Sequence, residues 1–221
     1  MDFIFMLTRS DQTVADCLET WSAIESVGLT HAGFKDIGAP LSDLRELNKR
    51  MQDAGVTTYL EVVSTTPEQC LQSARIGREI GVNRLMGGTQ VVETLEILQG
   101  STIEYLPFPG LPVGHPTTLG GSPELVEQQC RAFSDAGCAG VDLLAYRATQ
   151  ADPLDLVAAA RRGTTGYLVV AGSVTTIEQI HALSAAGADA FTIGSSVFDG
   201  SFSPRYGFIG SQLRQVMEAC A

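Results

Sequence analysis

Charged residues inside apolar runs are the first candidates for chemistry in this sequence. Lys35 and Asp36 end one apolar run, and Glu61 lies between aliphatic residues of the next. A charge in such a run must be paired or used, because an unpaired buried charge is costly. A Lys35–Glu61 pair in one cavity could act as acid and base, or the lysine could form an imine with a carbonyl substrate. The open alternative is an ion pair that only fills the centre of the fold.

Other polar residues at the ends of apolar runs could bind or protonate an anionic substrate. Lys35 and Lys49 are the two lysines of the chain, and Lys49 lies in a helical stretch beside arginines. His115, in a loop rich in proline and glycine, is a candidate for proton transfer near neutral pH. Arg9 and Arg147 each follow an apolar run and could hold a carboxylate or phosphate through paired hydrogen bonds. Asp36 is a candidate for orienting Lys35 or binding a substrate hydroxyl.

Two segments of small residues, Ala171–Ser173 and Gly194–Ser196, each close a run of apolar β-forming residues. Small residues at such positions leave backbone amides open. In a (β/α)8 barrel, the loops after strands seven and eight often hold a phosphate. The sequence therefore predicts an enzyme for a small phosphorylated molecule.

These candidates need elements to position them, and apolar runs alternate with amphipathic segments along the whole chain. The runs predict eight strands, near residues 2–8, 31–38, 57–64, 83–88, 103–108, 140–146, 166–172 and 190–195. The helices between them are predicted to end at glycines in the left-handed conformation, namely Gly28, Gly55, Gly81, Gly100, Gly137, Gly163 and Gly187. Three helices are predicted to begin at a capping residue followed by proline: Thr66-Pro67, Ser122-Pro123 and Asp152-Pro153.

This repeat predicts an α/β fold, a single (β/α)8 TIM barrel over residues 1–221, rather than an open doubly wound sheet. The length of 221 residues is close to the roughly 250 typical of such barrels. Two loops are longer than the usual connections. The loop over 109–121 is placed to cover a substrate, and the loop over 199–208 to flank the phosphate or a subunit contact.

Charge and composition exclude several classes of partner. The net charge of -11 argues against a nucleic acid or an acidic membrane surface, since either would need a basic face. No targeting or membrane segment is recognisable, which predicts a cytoplasmic protein. The five cysteines form no C-x-x-C pair, so we expect reduced thiols. No cofactor is expected, although Mg²⁺ held by two carboxylates stays open, as does a homo-oligomer; no nucleotide-binding motif is present.

The end of the chain carries a resemblance to known barrels. The segments Val169–Val174, Ala185–Ala190 and Ile193–Phe198 resemble the phosphate-binding quarter of the ribulose-phosphate-binding barrels. That group includes the histidine-biosynthesis isomerase and cyclase barrels and the N-acylglucosamine-6-phosphate 2-epimerases. The resemblance covers residues 166–200 and implies that phosphate binds at Gly172, Ser173, Gly194 and Ser195.

The rest of the chain departs from these families. The first strand, Phe3–Thr8, lacks the mid-strand aspartate of the histidine-pathway isomerase. The pair Lys35-Asp36 is similar to the lysine and aspartate of the orotidine- and ketogulonate-phosphate decarboxylases, but the Asp-x-Lys-x-x-Asp arrangement is absent. The resemblance therefore implies a separate branch, whose lysine and glutamate are similar in role to those of the 2-epimerases.

The leading hypothesis is an isomerase, epimerase or lyase of carbohydrate metabolism. It would act on a small phosphorylated sugar or ketone through an enolate or imine, with Glu61 as base, Lys35 as electrophile or nucleophile and His115 closing over the site. Arg9, Asp36 and Arg147 would contact the substrate, and Asp142 is expected in a lower, structural layer. The alternatives are a non-catalytic barrel that senses a phosphorylated metabolite, and a metal-dependent aldolase or hydrolase using Asp36 and Glu61.

Overall fold

Eight parallel strands form the centre of the protein. The structure is a computed structural model that describes residues 1–64, 66–114 and 116–220. The strands are β1 (Asp2–Met6), β2 (His31–Lys35), β3 (Thr57–Val62), β4 (Arg84–Gly87), β5 (Glu104–Leu106), β6 (Gly140–Leu143), β7 (Tyr167–Val170) and β8 (Ala190–Ile193). All eight predicted strands are confirmed. Each is two or three residues shorter than predicted, because the apolar run continues past the end of the strand, as at Leu7, Phe108 and Leu144.

The helices alternate with the strands as predicted. They are α1 (Cys17–Ile24), α2 (Leu41–Asp53), α3 (Pro67–Ile80), α4 (Val91–Leu98), α5 (Pro123–Asp135), α6 (Pro153–Gly163), α7 (Ile177–Ala185), α8 (Ser195–Phe198) and α9 (Ile209–Ala219). The starts at Pro67, Pro123 and Pro153 are confirmed. Among the described residues, no helix has the length and apolar character needed to cross a membrane.

Two short antiparallel hairpins stand beside the barrel. The β1 hairpin pairs Thr8–Arg9 with Gln12–Thr13 and directly follows β1. The β5 hairpin pairs Leu111–Val113 with Thr118–Gly120, inside the long loop after β5. Both hairpins lie at the carboxyl ends of their strands, on the same side of the barrel as the loops after β7 and β8.

The strands close into a cylinder. Their order in the sheet is β6-β7-β8-β1-β2-β3-β4-β5, and every pair is parallel. The two end strands, β5 and β6, are joined by backbone hydrogen bonds of 3.0 Å from Ala139 N–H to the Tyr105 carbonyl and from Asp142 N–H to the Pro107 carbonyl. The predicted α/β TIM barrel is thus confirmed.

Alternate residues of each strand face the barrel interior, as the period of a strand requires. The interior apolar cluster consists of Ile4, Met6, Tyr59, Met86, Leu106, Val169 and Ala190. The larger cluster lies between the strands and the helices and contains Phe3, Phe5 and Phe191. Glycine at position 33 suits this packing, since a Cβ there would lie 2.7 Å from the Met6 sulfur. The centre of the barrel is therefore filled with side chains.

Most helices end as predicted. Gly28, Gly55, Gly81, Gly100, Gly137 and Gly187 have φ between 76° and 94°. The prediction for Gly163 was wrong, because this glycine is the last residue of α6 and its φ is not positive. A Cβ on Gly163 would lie 2.5 Å from the Glu127 carbonyl oxygen. Glycine is needed there for the close contact of α6 with α5.

A polar network closes the amino-terminal end of the barrel. The Tyr59 hydroxyl accepts a hydrogen bond from Arg84 Nη1 at 2.8 Å and lies 2.9 Å from Nδ1 of His31. The Tyr167 hydroxyl donates to Asp2 at 2.7 Å, and Arg84 stacks 4.1 Å from the centre of the Tyr167 ring. These groups satisfy one another, so His31 has a structural role at this end of the barrel.

Candidate functional site

The carboxyl ends of the strands surround a cavity of about 270 Å³. Seven of the residues predicted from the sequence line it: Lys35, Glu61, Arg147, Gly172, Ser173, Gly194 and Ser195. They come from β2, β3, the segment after β6, and the loops after β7 and β8. The fold therefore brings the predicted proton-transfer pair and the predicted phosphate positions into one space.

Lys35 and Glu61 face each other inside the barrel. The two residues are partners in the parallel β2–β3 ladder, so their side chains leave the same face of the sheet. Nζ of Lys35 lies 3.4 Å from Oε2 of Glu61, and both residues are buried. The predicted pair is present, with its polar ends at the cavity.

Asp11 completes this pair and was not identified from the sequence. Lys35 Nζ donates a 2.8 Å hydrogen bond to Asp11 Oδ1. Arg147 grips the same carboxylate from the other side, with Nη2 and Nη1 each 2.9 Å from one oxygen. Asp11 occupies the tip of the β1 hairpin, where Ser10 and Asp11 have φ of 51° and 60°. The signal that could have found it is a Ser-Asp pair that forms a two-residue turn directly after a strand.

The charge state of Asp11 follows from these contacts. Burial by itself would raise its pKa, because desolvation disfavours the carboxylate. The hydrogen bonds from Arg147 and the charge of Lys35 outweigh burial and hold the pKa of Asp11 well below its usual range. The carboxylate therefore stays ionised at any physiological pH.

Asp142 is a buried carboxyl group behind the cavity wall. It is fully buried in β6, and neither oxygen has a hydrogen-bond partner among the described residues. Burial, and then the neighbouring Glu61 carboxylate, raise the pKa of Asp142 well above 3.8, while Lys35 and Arg147 act in the opposite direction. Burial and the Glu61 carboxylate thus both favour the protonated, neutral form of Asp142.

The loops after β7 and β8 present unused backbone donors to the cavity. Gly172 and Ser173 have φ of 77° and 61°, which turns the chain sharply at the end of β7. Gly172 N–H donates to Thr192 Oγ1 at 3.4 Å. Among the described residues, no acceptor is found for five other amides of these loops, those of Ser173, Val174, Gly194, Ser195 and Ser196. Free N–H groups that line one cavity can form an anion-binding concavity.

Arg147 lies against the first of these loops. A Cβ on Gly172 would be 2.3 Å from Arg147 Nε, so the guanidinium rests directly over the glycine. Its Nη1 also donates to the Thr117 carbonyl of the β5 hairpin at 3.3 Å. The arginine therefore joins the β5 hairpin, the β1 hairpin and the glycine loop at the edge of the cavity.

The two long loops also reach the site. Asp199 and Ser201, in the loop over 199–208, line the cavity, in agreement with its predicted place beside the phosphate positions. The β5 hairpin contacts the site through Thr117 and is held by a 2.9 Å hydrogen bond from Thr149 N–H to the Leu119 carbonyl. The predicted proton-transfer residue of this loop, His115, lies outside the described residues.

Two predicted substrate ligands lie elsewhere. Arg9 is exposed on the β1 hairpin, where its charge contributes to lowering the pKa of Asp199, after the larger effect of the Ser201 hydroxyl. Asp36 accepts a hydrogen bond from Ser73 of α3 and lines a second cavity, of about 380 Å³. Because Asp36 follows Lys35 in the chain, it points to the opposite face of the sheet.

The placement of Asp36 bears on the metal-dependent alternative. Asp36 and Glu61 line different cavities, so they do not converge on one ion. Within residues 1–64, 66–114 and 116–220, no group of three His, Cys, Asp or Glu side chains is arranged to hold a metal. The five cysteines are free thiols, as predicted; Cys17, Cys70 and Cys130 are buried.

Comparison with known proteins shows the fold of the chain. No protein-family model matches the sequence, and no curated protein is significantly similar to it. Solved structures match it along nearly its full length. One is the crystal structure of the Amycolatopsis orientalis BexX/CysO complex, with a TM-score of 0.64, 16% identity, and coverage of 100% of this chain and 88% of that chain.

Two further structures match equally well. A native KDPGal structure has a TM-score of 0.65 and 14% identity, covering 99% of this chain and 96% of that one. A mutant tryptophan synthase alpha-subunit from Pyrococcus furiosus has a TM-score of 0.63 and 14% identity, covering 98% of each chain. At such identities the likeness concerns architecture alone. The chain is therefore a TIM barrel of the same overall design as these proteins.

Proposed function

We propose that the protein is an isomerase, epimerase or lyase that acts on a small phosphorylated sugar or ketone through an enolate. One observation carries this proposal: a single cavity holds the Lys35–Glu61 pair beside loops whose amides have no acceptor among the described residues. Such a cavity offers an anchor for an anion and a proton-transfer pair at fixed separation. Holding a substrate in this way supplies much of the advantage of catalysis by proximity.

The phosphate is assigned to the loops after β7 and β8, at Gly172, Ser173, Gly194 and Ser195. The backbone amides of Ser173, Gly194 and Ser195 supply donors without charge, and Arg147 supplies a cation at Gly172. The protein carries a net charge of -11, so an anionic substrate must be held by local donors of this kind. Ser196 adds a buried hydroxyl that lines the cavity and has no partner among the described residues.

The proton transfer is assigned to Glu61. Its carboxylate removes a proton from the carbon next to the substrate carbonyl, and the electron pair of the C–H bond moves onto the carbonyl oxygen as an enolate. Lys35 Nζ donates a hydrogen bond to that oxygen. Return of the proton to the other face of the same carbon gives an epimer, and its return to the neighbouring carbon gives an isomer. Cleavage of a carbon–carbon bond would produce the same enolate in a lyase.

The contacts of Lys35 favour the enolate over an imine. Nζ lies between the carboxylates of Asp11 and Glu61, at 2.8 and 3.4 Å. This is the environment of a charged ammonium group, whereas imine formation needs the neutral amine. Treatment with borohydride in the presence of substrate is therefore expected to leave Lys35 unmodified by mass spectrometry. A covalent adduct on Lys35 would select the imine route instead.

The comparisons support an enzyme in a general way. Tryptophan synthase, one of the structural neighbours, is an enzyme built on this fold. Fold alone licenses no reaction, so the proposal depends on the residues of the cavity.

The experiment begins with a thermal-shift screen of phosphorylated sugars of three to six carbons, since a ligand that binds the folded state raises Tm. Hits are then incubated in D₂O and followed by proton NMR. An enolate mechanism predicts exchange of the proton next to the carbonyl for deuterium. Lys35→Met and Glu61→Gln are expected to abolish this exchange, and Glu61→Gln should still show the thermal shift. Ligands that bind without exchange or turnover would indicate a sensor, and activity lost to a chelator would indicate a metal-dependent enzyme.

A further inference from the structure

Asp11 connects the two cations of the cavity. Its carboxylate accepts one hydrogen bond from Lys35 and two from Arg147, at 2.8 to 2.9 Å. Lys35 belongs to the assigned chemistry and Arg147 to the assigned phosphate anchor. Asp11 is thus the one described carboxylate in ion-pair contact with both.

The β1 hairpin that carries Asp11 is fixed on both sides. Thr13 Oγ1 accepts from Lys35 N–H at 2.8 Å and donates to the Lys35 carbonyl at 2.7 Å. On the other side, Ser10 N–H donates to Ser195 Oγ at 3.3 Å. The positive φ of Ser10 and Asp11 is a conformation that the surrounding contacts must hold in place. The β1 hairpin is therefore held by hydrogen bonds to the end of β2 on one side and to the loop after β8 on the other.

The two hydrogen bonds between Arg147 and Asp11 also orient the guanidinium of Arg147. Both terminal nitrogens, Nη1 and Nη2, are used by the Asp11 carboxylate. Nε is left, and this is the atom nearest the position of a Cβ on Gly172, at 2.3 Å. A guanidinium is planar, so fixing its terminal edge fixes the direction of its Nε edge. That edge faces the loop where the phosphate is assigned.

We propose that Asp11 is a positioning residue, which holds Lys35 over the reacting carbon and turns Arg147 toward the phosphate at the same time. The inference rests on the proposed function, because it assigns Arg147 to an anion and Lys35 to an enolate. Asp11 would touch no substrate, and it would still determine the affinity for the anion and the rate of proton transfer.

A positioning role for Asp11 predicts that removing its charge weakens anion binding, whereas loss of a repulsive charge alone would strengthen it. Removing a carboxylate near an anion site strengthens anion binding when only its charge matters, because a repulsive charge is lost. A positioning carboxylate gives the opposite result, since Arg147 loses its orientation. Asparagine is a suitable replacement because it has nearly the same shape and tolerates the left-handed conformation of this turn.

The test is a calorimetric titration of the full chain with inorganic phosphate. Asp11→Asn is expected to weaken phosphate binding by about 10- to 100-fold, the range for loss of a charge-assisted hydrogen bond. Asp199→Asn is the matched control, because Asp199 lines the same cavity but hydrogen-bonds Ser201 instead of a cation. Its removal is expected to strengthen binding or leave it unchanged. With a substrate from the screen, Asp11→Asn should also lower kcat at least about tenfold.

The outcomes separate the two proposals. If wild type binds phosphate and Asp11→Asn tightens binding as Asp199→Asn does, the positioning role is overturned and the phosphate site stands. If wild type binds no phosphate, the proposed function and the role of Asp11 both fall. Should Asp11→Asn fail to fold by circular dichroism, Arg147→Lys takes its place: it keeps the charge but loses the two-point grip. Unchanged phosphate affinity in Arg147→Lys would overturn the inference.

Discussion

Replacing Lys35 by methionine should destabilise the protein strongly, although the two side chains have similar volumes. Lys35 is 3% exposed and lies between Asp11 and Glu61. Asp11 keeps its two hydrogen bonds from Arg147 when the lysine is removed. Glu61 loses the one cation within ion-pair distance among the described residues. The change therefore leaves one uncompensated buried carboxylate.

The magnitude follows from this geometry. Two unit charges 3.4 Å apart attract by about 5 kcal/mol at an effective dielectric constant of about 20. Part of this is offset, because methionine avoids the desolvation of the ammonium group. Breaking buried pairs by removing one partner costs about 3–5 kcal/mol in other proteins. Because only Glu61 is stranded, we expect the lower end, a loss of about 3 kcal/mol in the free energy of unfolding.

The assay is urea unfolding at pH 7, followed by the fluorescence of Trp21, the one tryptophan of the chain and 1% exposed. Removing both charges in Lys35→Met/Glu61→Leu should restore most of the lost stability, since no buried charge is then unpaired. Lys35→Met with a free energy of unfolding within about 0.5 kcal/mol of wild type, or a double variant as unstable as the single one, would show that removal of Lys35 leaves no costly unpaired charge on Glu61.

Three further predictions follow from other parts of the molecule. Gly172→Ala should lower the free energy of unfolding by about 1–2 kcal/mol, because alanine is strained in the left-handed conformation. The added Cβ would lie 2.3 Å from Arg147 Nε, so it should displace the arginine and weaken phosphate binding in calorimetry. Wild-type affinity would contradict the placement of Arg147. In Asp142, burial raises the folded-state pKa above 3.8, so its contribution to stability is complete below that pH and is lost as the pH rises through the folded-state value. Asp142→Asn should therefore gain stability relative to wild type as the pH rises above about 4, and a difference in urea unfolding that stays constant over this rise would contradict the assignment. Tyr59→Phe removes the hydroxyl that contacts His31 and Arg84 and should lower stability by about 1–2 kcal/mol with unchanged phosphate affinity, because this network lies at the opposite end of the barrel; an altered affinity would argue against that separation.

The fold could be predicted from the sequence because each repeat carries its own local signals. Apolar runs mark the eight strands, and proline at 67, 123 and 153 marks where three helices begin. Glycine after a helix usually signals a left-handed end. Gly163 shows the limit of this rule, because this glycine does not have a positive φ and instead allows two helices to pack closely. A local signal cannot separate these two needs.

The site was predictable in part for the same reason. The ladder places Lys35 opposite Glu61, and the loops after β7 and β8 must lie side by side once the barrel closes. The face to which a residue points depends on strand register, which changes with a shift of one residue. Asp36 therefore falls outside the cavity, next to a neighbour that falls inside it.

Asp11 and Asp142 mark what sequence reasoning missed. Asp11 acts through Arg147, which is 136 residues away in the chain, so no local pattern reports the contact. Asp142 was expected in a structural layer, and the structure adds that its carboxyl is buried, without a hydrogen-bond partner among the described residues, and influenced by Glu61. Both properties depend on tertiary packing.

The most direct test of the central claim is a phosphate titration followed by the amide signals of ¹⁵N-labelled protein. If phosphate binds in this cavity, five amide signals shift together and saturate with one Kd, those of Ser173, Val174, Gly194, Ser195 and Ser196, which have no acceptor among the described residues. Signals of Tyr59 and Arg84, at the other end of the barrel, should stay in place. Amides of the two loops that do not move while phosphate binds elsewhere, or not at all, would contradict the assignment of this cavity to an anionic substrate.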